Sequence, residues 1–135
     1  MTLPIFPEHS ALILARNKEN KRTYFSFTDI EQLDLSNELT FLSACETALG
    51  KLYSGDGTIS LTNAFFIAGS RMVISSLWAV HDEYTMLFVR QFYTLLEQHS
   101  VSKAFALTKQ KCINGELGKE LQKPVYWSAF VLWGI

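Results

Sequence analysis

An α/β fold, a mostly parallel sheet held between helices on both faces in three layers, is what this sequence predicts. Three observations carry that reading. Short apolar runs alternate with longer runs of helical periodicity, as in β-α-β units. The strand-like runs are continuously apolar rather than alternating, the pattern of strands buried on both faces. The chain is 135 residues long, 48% hydrophobic and 13% aromatic, which suits a single domain over residues 1–135 with one core.

Residues 1–9, MTLPIFPEH, carry two prolines and read as an entry segment. Ser10 to Ala15, SALILA, reads as a buried strand, and Asn17 to Lys21 as a polar loop. Thr23 to Phe27 alternates well enough for a short strand or hairpin arm. Thr28-Asp-Ile-Glu31 has the capping-box spacing and predicts a short helix starting there. Leu39 to Ser43 is a second central strand. Gly57 to Gly69, GTISLTNAFFIAG, is apolar on nearly every side, which describes a helix buried on a sheet and capped by Gly69. Met72 to Trp78 is a third central strand, rich in β-branched residues. Asp82 opens the next helix as its cap, with an apolar stripe at Tyr84, Leu87, Phe88, Gln91, Phe92 and Leu95. A further helix starts at Ser100 or Ser102, with Val101, Ala104, Phe105, Thr108 and Cys112 on one face. Asn114 to Lys123 reads as a polar loop, and Tyr126 to Gly134 as a terminal apolar strand.

Composition excludes several classes of function. The formal net charge is -1, so nothing draws the chain generally to nucleic acid or to an anionic membrane. The late lysines Lys103, Lys109, Lys111, Lys119 and Lys123 are expected on a solvated helix face. No run approaches the roughly 20 apolar residues of a membrane span, and no signal-peptide pattern is visible. Two cysteines, Cys45 and Cys112, make no disulfide framework, so a reducing cytoplasmic setting is expected. No metal-ligand spacing occurs, and neither a metal nor an organic cofactor is expected.

The run Glu38 to Gly50, ELTFLSACETALG, carries the chemistry. A strand that ends at Cys45 places the thiol on the rim of the sheet, where open α/β sheets bind ligands. A reactive cysteine belongs there, whereas a packing cysteine more often sits inside an element, as Cys112 does on its apolar helical face. Residue pattern alone leaves both readings of Cys45 open. Gly55 and Gly57 read as a tight turn into the buried helix, with amides facing the cleft. They are not a phosphate loop, because no GxxxxGK[ST] is present. Trp78, Trp127 and Trp133 are expected in the core.

SALILA, the LSACETALG block, GDG followed by AFFIAG, VISSLWAVHDE and the terminal YWSAFVLWG occur in that order from about Ser10 to Gly134. Together they resemble the CHAT domain, a caspase- and separase-like family of cysteine peptidases often joined to tetratricopeptide repeats. The resemblance implies a caspase-like fold, a protein or peptide substrate and a Cys-His pair, with Cys45 as the nucleophile. The family's histidine, followed by glycine, ends the strand before the SALILA-like segment and is expected to precede residue 1. His9 has no glycine after it. The resemblance therefore implies the C-terminal part of a CHAT domain, inactive as a peptidase when isolated from that histidine.

The resemblance also implies that Asp82 lines a pocket for a basic residue just before the cut bond; a helix cap is the other reading of the same residue. Glu46 beside the thiol would oppose thiolate formation and is not a base. His81 is expected on an exposed loop, and His99 at a helix end, where a cation is favourable. A non-catalytic interaction or scaffold module, associated with tetratricopeptide repeats, is the alternative to the peptidase. An α/β ligand-binding domain unrelated to proteolysis is a third reading.

Overall fold

The computed structural model describes residues 11–16, 18–43 and 54–134. Strands β1 (Ala11–Arg16) and β2 (Arg22–Ser26) pair antiparallel in a two-stranded sheet of their own. SALILA is thus a hairpin arm rather than a central strand. Asn20 takes the positive φ of 62° in its turn, a conformation that asparagine tolerates better than most residues.

Helix α1 (Phe27–Glu31) opens with a capping box, but two residues earlier than the sequence spacing predicts. Ser26 and Asp29 form it, not Thr28 and Glu31. The Ser26 hydroxyl and amide both donate to the Asp29 carboxylate, at 2.6 and 2.9 Å, and the Asp29 amide donates back to Ser26 Oγ. These bonds, the side-chain one foremost, hold the Asp29 carboxyl below the ordinary range. Aspartate fills the role usually given to glutamate, so a search for the usual pair passes over it.

The second sheet has the order β3-β4-β5, with β3 at Leu39–Leu42, β4 at Met72–Ser76 and β5 at Phe130–Gly134. β3 and β4 are parallel, with Leu42 opposite Ser75. β5 is antiparallel to β4, with Phe130 opposite Ser76. Among the described residues the sheet is therefore mixed, not mostly parallel. The reason lies in the connections. A single helix, α2 (Ser54–Ile67), returns the chain from β3 to β4 and keeps them parallel. Two packed helices, α3 (Asp82–Leu96) and α4 (Val101–Ile113), carry it away and back before β5, which must then run the other way. The predicted strand from Tyr126 is shorter, because Pro124–Trp127 form one helical turn, α5, with proline at its first position. The predicted loop before it contains a 3-10 turn, Glu120–Gln122, whose Leu121 is buried.

Strand β4 is buried along its whole length, which explains its unbroken apolar run. Met72 and Ile74 face a cluster formed with Phe88, Phe92, Ala104 and Phe105 of α3 and α4. Val73 faces the opposite cluster with Ile30, Leu61, Ala64 and Phe65 of α1 and α2. Helices thus cover both faces. The stripes predicted for α3 and α4 hold: Phe88 and Phe92 are buried, and so are all five residues named on the α4 face.

Two devices fix the amino end of the β3–β4 pair. Asn37 Nδ2 donates to Leu39 O and Thr40 Oγ1, Thr40 bonds Ser70, and Ser70 Oγ donates to Met72 O. Gly69 ends α2 as predicted: its amide bonds Phe66 O while that of Ser70 bonds Phe65 O, the paired bonds of a Schellman ending. Its φ is +108°, and a Cβ there would stand 2.0 Å from the Leu35 carbonyl oxygen. Gly69→Ala combines a strained backbone with a clash against main chain, and should lower stability by at least ~2 kcal/mol. A urea titration checks it; an unchanged midpoint would contradict this close approach.

Candidate functional site

The amino end is locked by side chains, so the loops belong to the carboxyl end. The parallel register sends β3 and β4 out at one edge. β3 continues through Ser43 toward Cys45, and β4 continues through Leu77 and Trp78 toward His81 and Asp82. β5 begins at the same edge, since Phe130 pairs with Ser76. The crossover from β3 to β4 also starts α2 there, with the positive end of its dipole. Cys45 lies outside the described residues, as do its neighbours Glu46 and Thr47, so their placement is an expectation.

Gly55 and Gly57 fall inside α2, which starts at Ser54. They form its first turn rather than a turn that precedes it. The helix-like run therefore extends further back than glycine content suggested, since glycine weakens a helix interior by only about 0.5–1 kcal/mol.

The loop from β4 to α3 is held by tertiary contacts. The Leu77 amide donates to Ala129 O at 2.9 Å, and Trp78 Nε1 donates to Val125 O at 2.8 Å. His81, not Asp82, is the N-cap residue of α3, and no side-chain hydrogen bond caps the helix. The Tyr84 and Thr85 amides bond the His81 carbonyl instead, both at 3.0 Å. Asp82 is the first helical residue and is exposed, with Glu83 beside it in the first turn. Both carboxylates suit the positive end of the helix dipole. The cap reading of Asp82 is thereby corrected, and its carboxylate is not committed to the helix backbone.

An aromatic wall stands beside these acids. The Tyr84 and Tyr126 rings lie 4.4 Å apart, and His81 meets Tyr84 edge-on at 6.0 Å. Burial, then the nearby negative charge of Glu120, raises the Tyr84 phenol above its ordinary value. Sequence reading passed over this wall. Residues 84 and 126 are far apart in the chain, and only the α5 turn brings them together.

His99 follows the far end of α3. Fifteen helical residues span ~22 Å at ~1.5 Å each, so His99 is remote from this edge. Lys109 departs from the expected solvated face. Its ammonium lies 4.8 Å from the Phe105 ring centre and 5.7 Å from that of Trp127, and burial lowers its pKa. Lys111 and Lys123 pair with Glu116 and Glu120. The three tryptophans are half-buried rather than core, and each indole donates a hydrogen bond, Trp127 to Gln122 O and Trp133 to Ser75 Oγ.

Cys112 is fully buried, and burial pushes its thiol up to about 11. It is therefore protonated at neutral pH and unreactive. In Cys45→Ala protein at pH 8, a disulfide reagent should label no thiol until denaturant is added; prompt native labelling would contradict the burial. Above its ordinary value of 9.0 the unfolded chain loses the proton that the fold retains to about 11. This thiol's contribution to stability is thus complete below pH 9 and falls as pH rises through that window.

Among the described residues no group of three His, Cys, Asp or Glu side chains could hold a metal ion, and no helix is long and apolar enough to cross a membrane.

The family model of the CHAT domain matches residues 2–135. The chain belongs to the CHAT domain family. It is 32% identical over 106 residues to mouse tetratricopeptide repeat protein 28, and 30% identical over 106 residues to the human protein of that name. Each match covers 78% of this chain and 4% of the relative, so the chain spans only a small part of the length of these curated relatives. No solved structure matches it significantly. The mixed sheet with helices on both faces is compatible with the α/β fold expected of this CHAT chain.

Proposed function

We propose that this CHAT chain carries the nucleophile-bearing part of a caspase-like cysteine endopeptidase. The observation that carries the reading is the parallel β3–β4 pair, whose strands leave the sheet at one edge after Ser43 and after Ser76, the second leading to VHDE. In this reading Cys45 Sγ attacks the peptide carbonyl, and a histidine outside residues 1–135 takes the thiol proton and passes it to the leaving amine. The amine-terminated product departs, water hydrolyses the thioester, and Cys45 regains its proton. Amides at the start of α2, those of Gly55 and Gly57 included, are oriented to stabilise the oxyanion. The uncommitted Asp82 carboxylate selects Arg or Lys before the cut bond through a charge-assisted pair. The tetratricopeptide repeat relatives support a setting in which a repeat segment presents the protein substrate.

The test uses the chain joined to its histidine-bearing segment. Cys45→Ala should remove peptide cleavage. Asp82→Asn should lower kcat/KM for basic peptides by roughly tenfold or more and leave apolar peptides unchanged, because a buried guanidinium then faces a neutral amide. An unchanged ratio would remove Asp82 from the pocket. A protein that binds a repeat segment tightly but cleaves nothing would support the scaffold reading instead. One observation favours that reading: His81 engages Tyr84, and His99 is a helix length away from the edge.

A further inference from the structure

The β4–α3 loop carries His81 and Asp82, yet the bonds that set its course come from one distant segment. Leu77 N bonds Ala129 O, Trp78 Nε1 bonds Val125 O, and the Tyr84 ring at the start of α3 meets that of Tyr126 tilted at 48°. Val125, Tyr126 and Ala129 all lie in or just after α5. That turn is itself held down. Ser128 Oγ and N both bond Pro124 O, Trp127 Nε1 bonds Gln122 O, and the Lys109 ammonium faces the Trp127 ring. The backbone of residues 79–81 has no strand or helix ladder of its own before α3 starts. An indole of which only the Nε1–H is polar has one bond to make, and here it is made across 47 residues of sequence.

We propose that Trp78 is a positioning residue for substrate selection, fixing the His81–Asp82 segment against the α5 turn so that the Asp82 carboxylate holds one direction at the sheet edge. The proposal rests on the reading of Asp82 given above. Trp78 need not touch the reacting atoms. Its indole bond to Val125 O sets where α3 begins, and the Tyr84–Tyr126 ring contact repeats the restraint within the first turn of α3. A carboxylate discriminates between a guanidinium and an apolar side chain only if it is already oriented when the substrate arrives. Losing the restraint should therefore weaken binding of basic substrates and leave the chemical step intact.

Trp78→Phe keeps an aromatic ring and removes the bond. In the chain joined to its histidine-bearing segment, KM for a basic peptide should rise roughly threefold to tenfold, the range of one neutral hydrogen bond. kcat should stay within twofold, and KM for an apolar peptide should not change. In an Asp82→Asn background the same substitution should have no further effect on basic-peptide KM, because the two residues act as one unit. Unaltered basic-peptide KM, a fall in kcat alone, or additive effects would overturn the proposal. If the protein cleaves no peptide at all, the peptidase reading fails separately. Amide hydrogen exchange then decides the positioning claim. Trp78→Phe should speed exchange at residues 79–85 by about threefold to tenfold while the amides of α4 keep their protection. Unchanged exchange at 79–85, or loss of protection throughout the fold, would overturn it.

Discussion

Peptide turnover by the 135-residue chain with no histidine but its own should run roughly 10²–10⁴ below that of the same chain joined to its histidine-bearing segment. The reasoning starts from the thiol. A free cysteine is mostly protonated at neutral pH, and its activation needs a nearby base or a cationic environment. The start of α2 supplies a positive dipole end, which favours the thiolate by about 1 kcal/mol at most on an exposed edge. That is at most about one eighth of the roughly 8–23 kcal/mol of barrier lowering expected from a full set of catalytic groups. It also does nothing for the leaving amine, which must receive a proton as the bond breaks. His99 is a helix length away, and His81 is exposed at the α3 cap with its ring against Tyr84. The measurement is cleavage of a peptide library by the chain alone and by the joined protein, each with Cys45→Ala as control. Robust cleavage by the chain alone, lost in Cys45→Ala, would make His81 or His9 the base.

Side-chain periodicity was the legible part of this fold. The stripe of α3 and the face of α4 stand out because burial imposes a spacing of three and four on a helix whatever it packs against. Gly69 was legible for a related reason: an ending in positive φ selects glycine from the local backbone alone. Strand direction was not legible. An apolar run such as AFVLWG reads the same in either direction, and only the succession of two helices between β4 and β5 reverses it. The Ser26–Asp29 box escaped because Phe27 and Ile30 of the short α1 offered no long periodic run to mark its start. At the candidate site, the sequence could bring the ends of β3 and β4 to one edge, because parallel strands share an edge by topology. It could not show that α3 is capped at His81 and starts with an uncommitted Asp82, nor that Val125, Tyr126 and Ala129 hold the loop. Those contacts join segments more than forty residues apart, and no local pattern encodes them.

Phe88→Ala should lower stability by about 3–5 kcal/mol, among the largest losses a single core substitution produces. Phe88 is completely buried, stacked on Phe130 with ring centres 4.3 Å apart at 19°, and edge-on to Phe105 at 6.0 Å. It is therefore the point where α3, α4 and β5 meet. Truncation leaves a ring-sized void between two helices and a strand, and both aromatic pairs are lost with it, worth roughly 0.5–1.5 kcal/mol each beyond the area they bury. The surrounding elements close the void poorly, because Phe130 is the first residue of β5 and is tied by the ladder to Ser76. A domain of this size has only about 5–15 kcal/mol in total, so the variant should unfold at a clearly lower urea concentration with an unchanged slope. Met86→Ala, on the same helix with Met86 52% exposed, should shift stability by less than about 0.5 kcal/mol. The contrast separates packing from helix propensity, which favours alanine at both positions. A Phe88→Ala loss below about 1 kcal/mol would mean that α3 does not dock on β5 as described. The edge should respond as well. Ala129, whose carbonyl receives the Leu77 amide, directly precedes Phe130. Loosening β5 at its first residue should therefore speed exchange of the Leu77 amide before that of the α1–α2 side of the sheet, where Val73 packs on Leu61 and Ala64 in the other cluster.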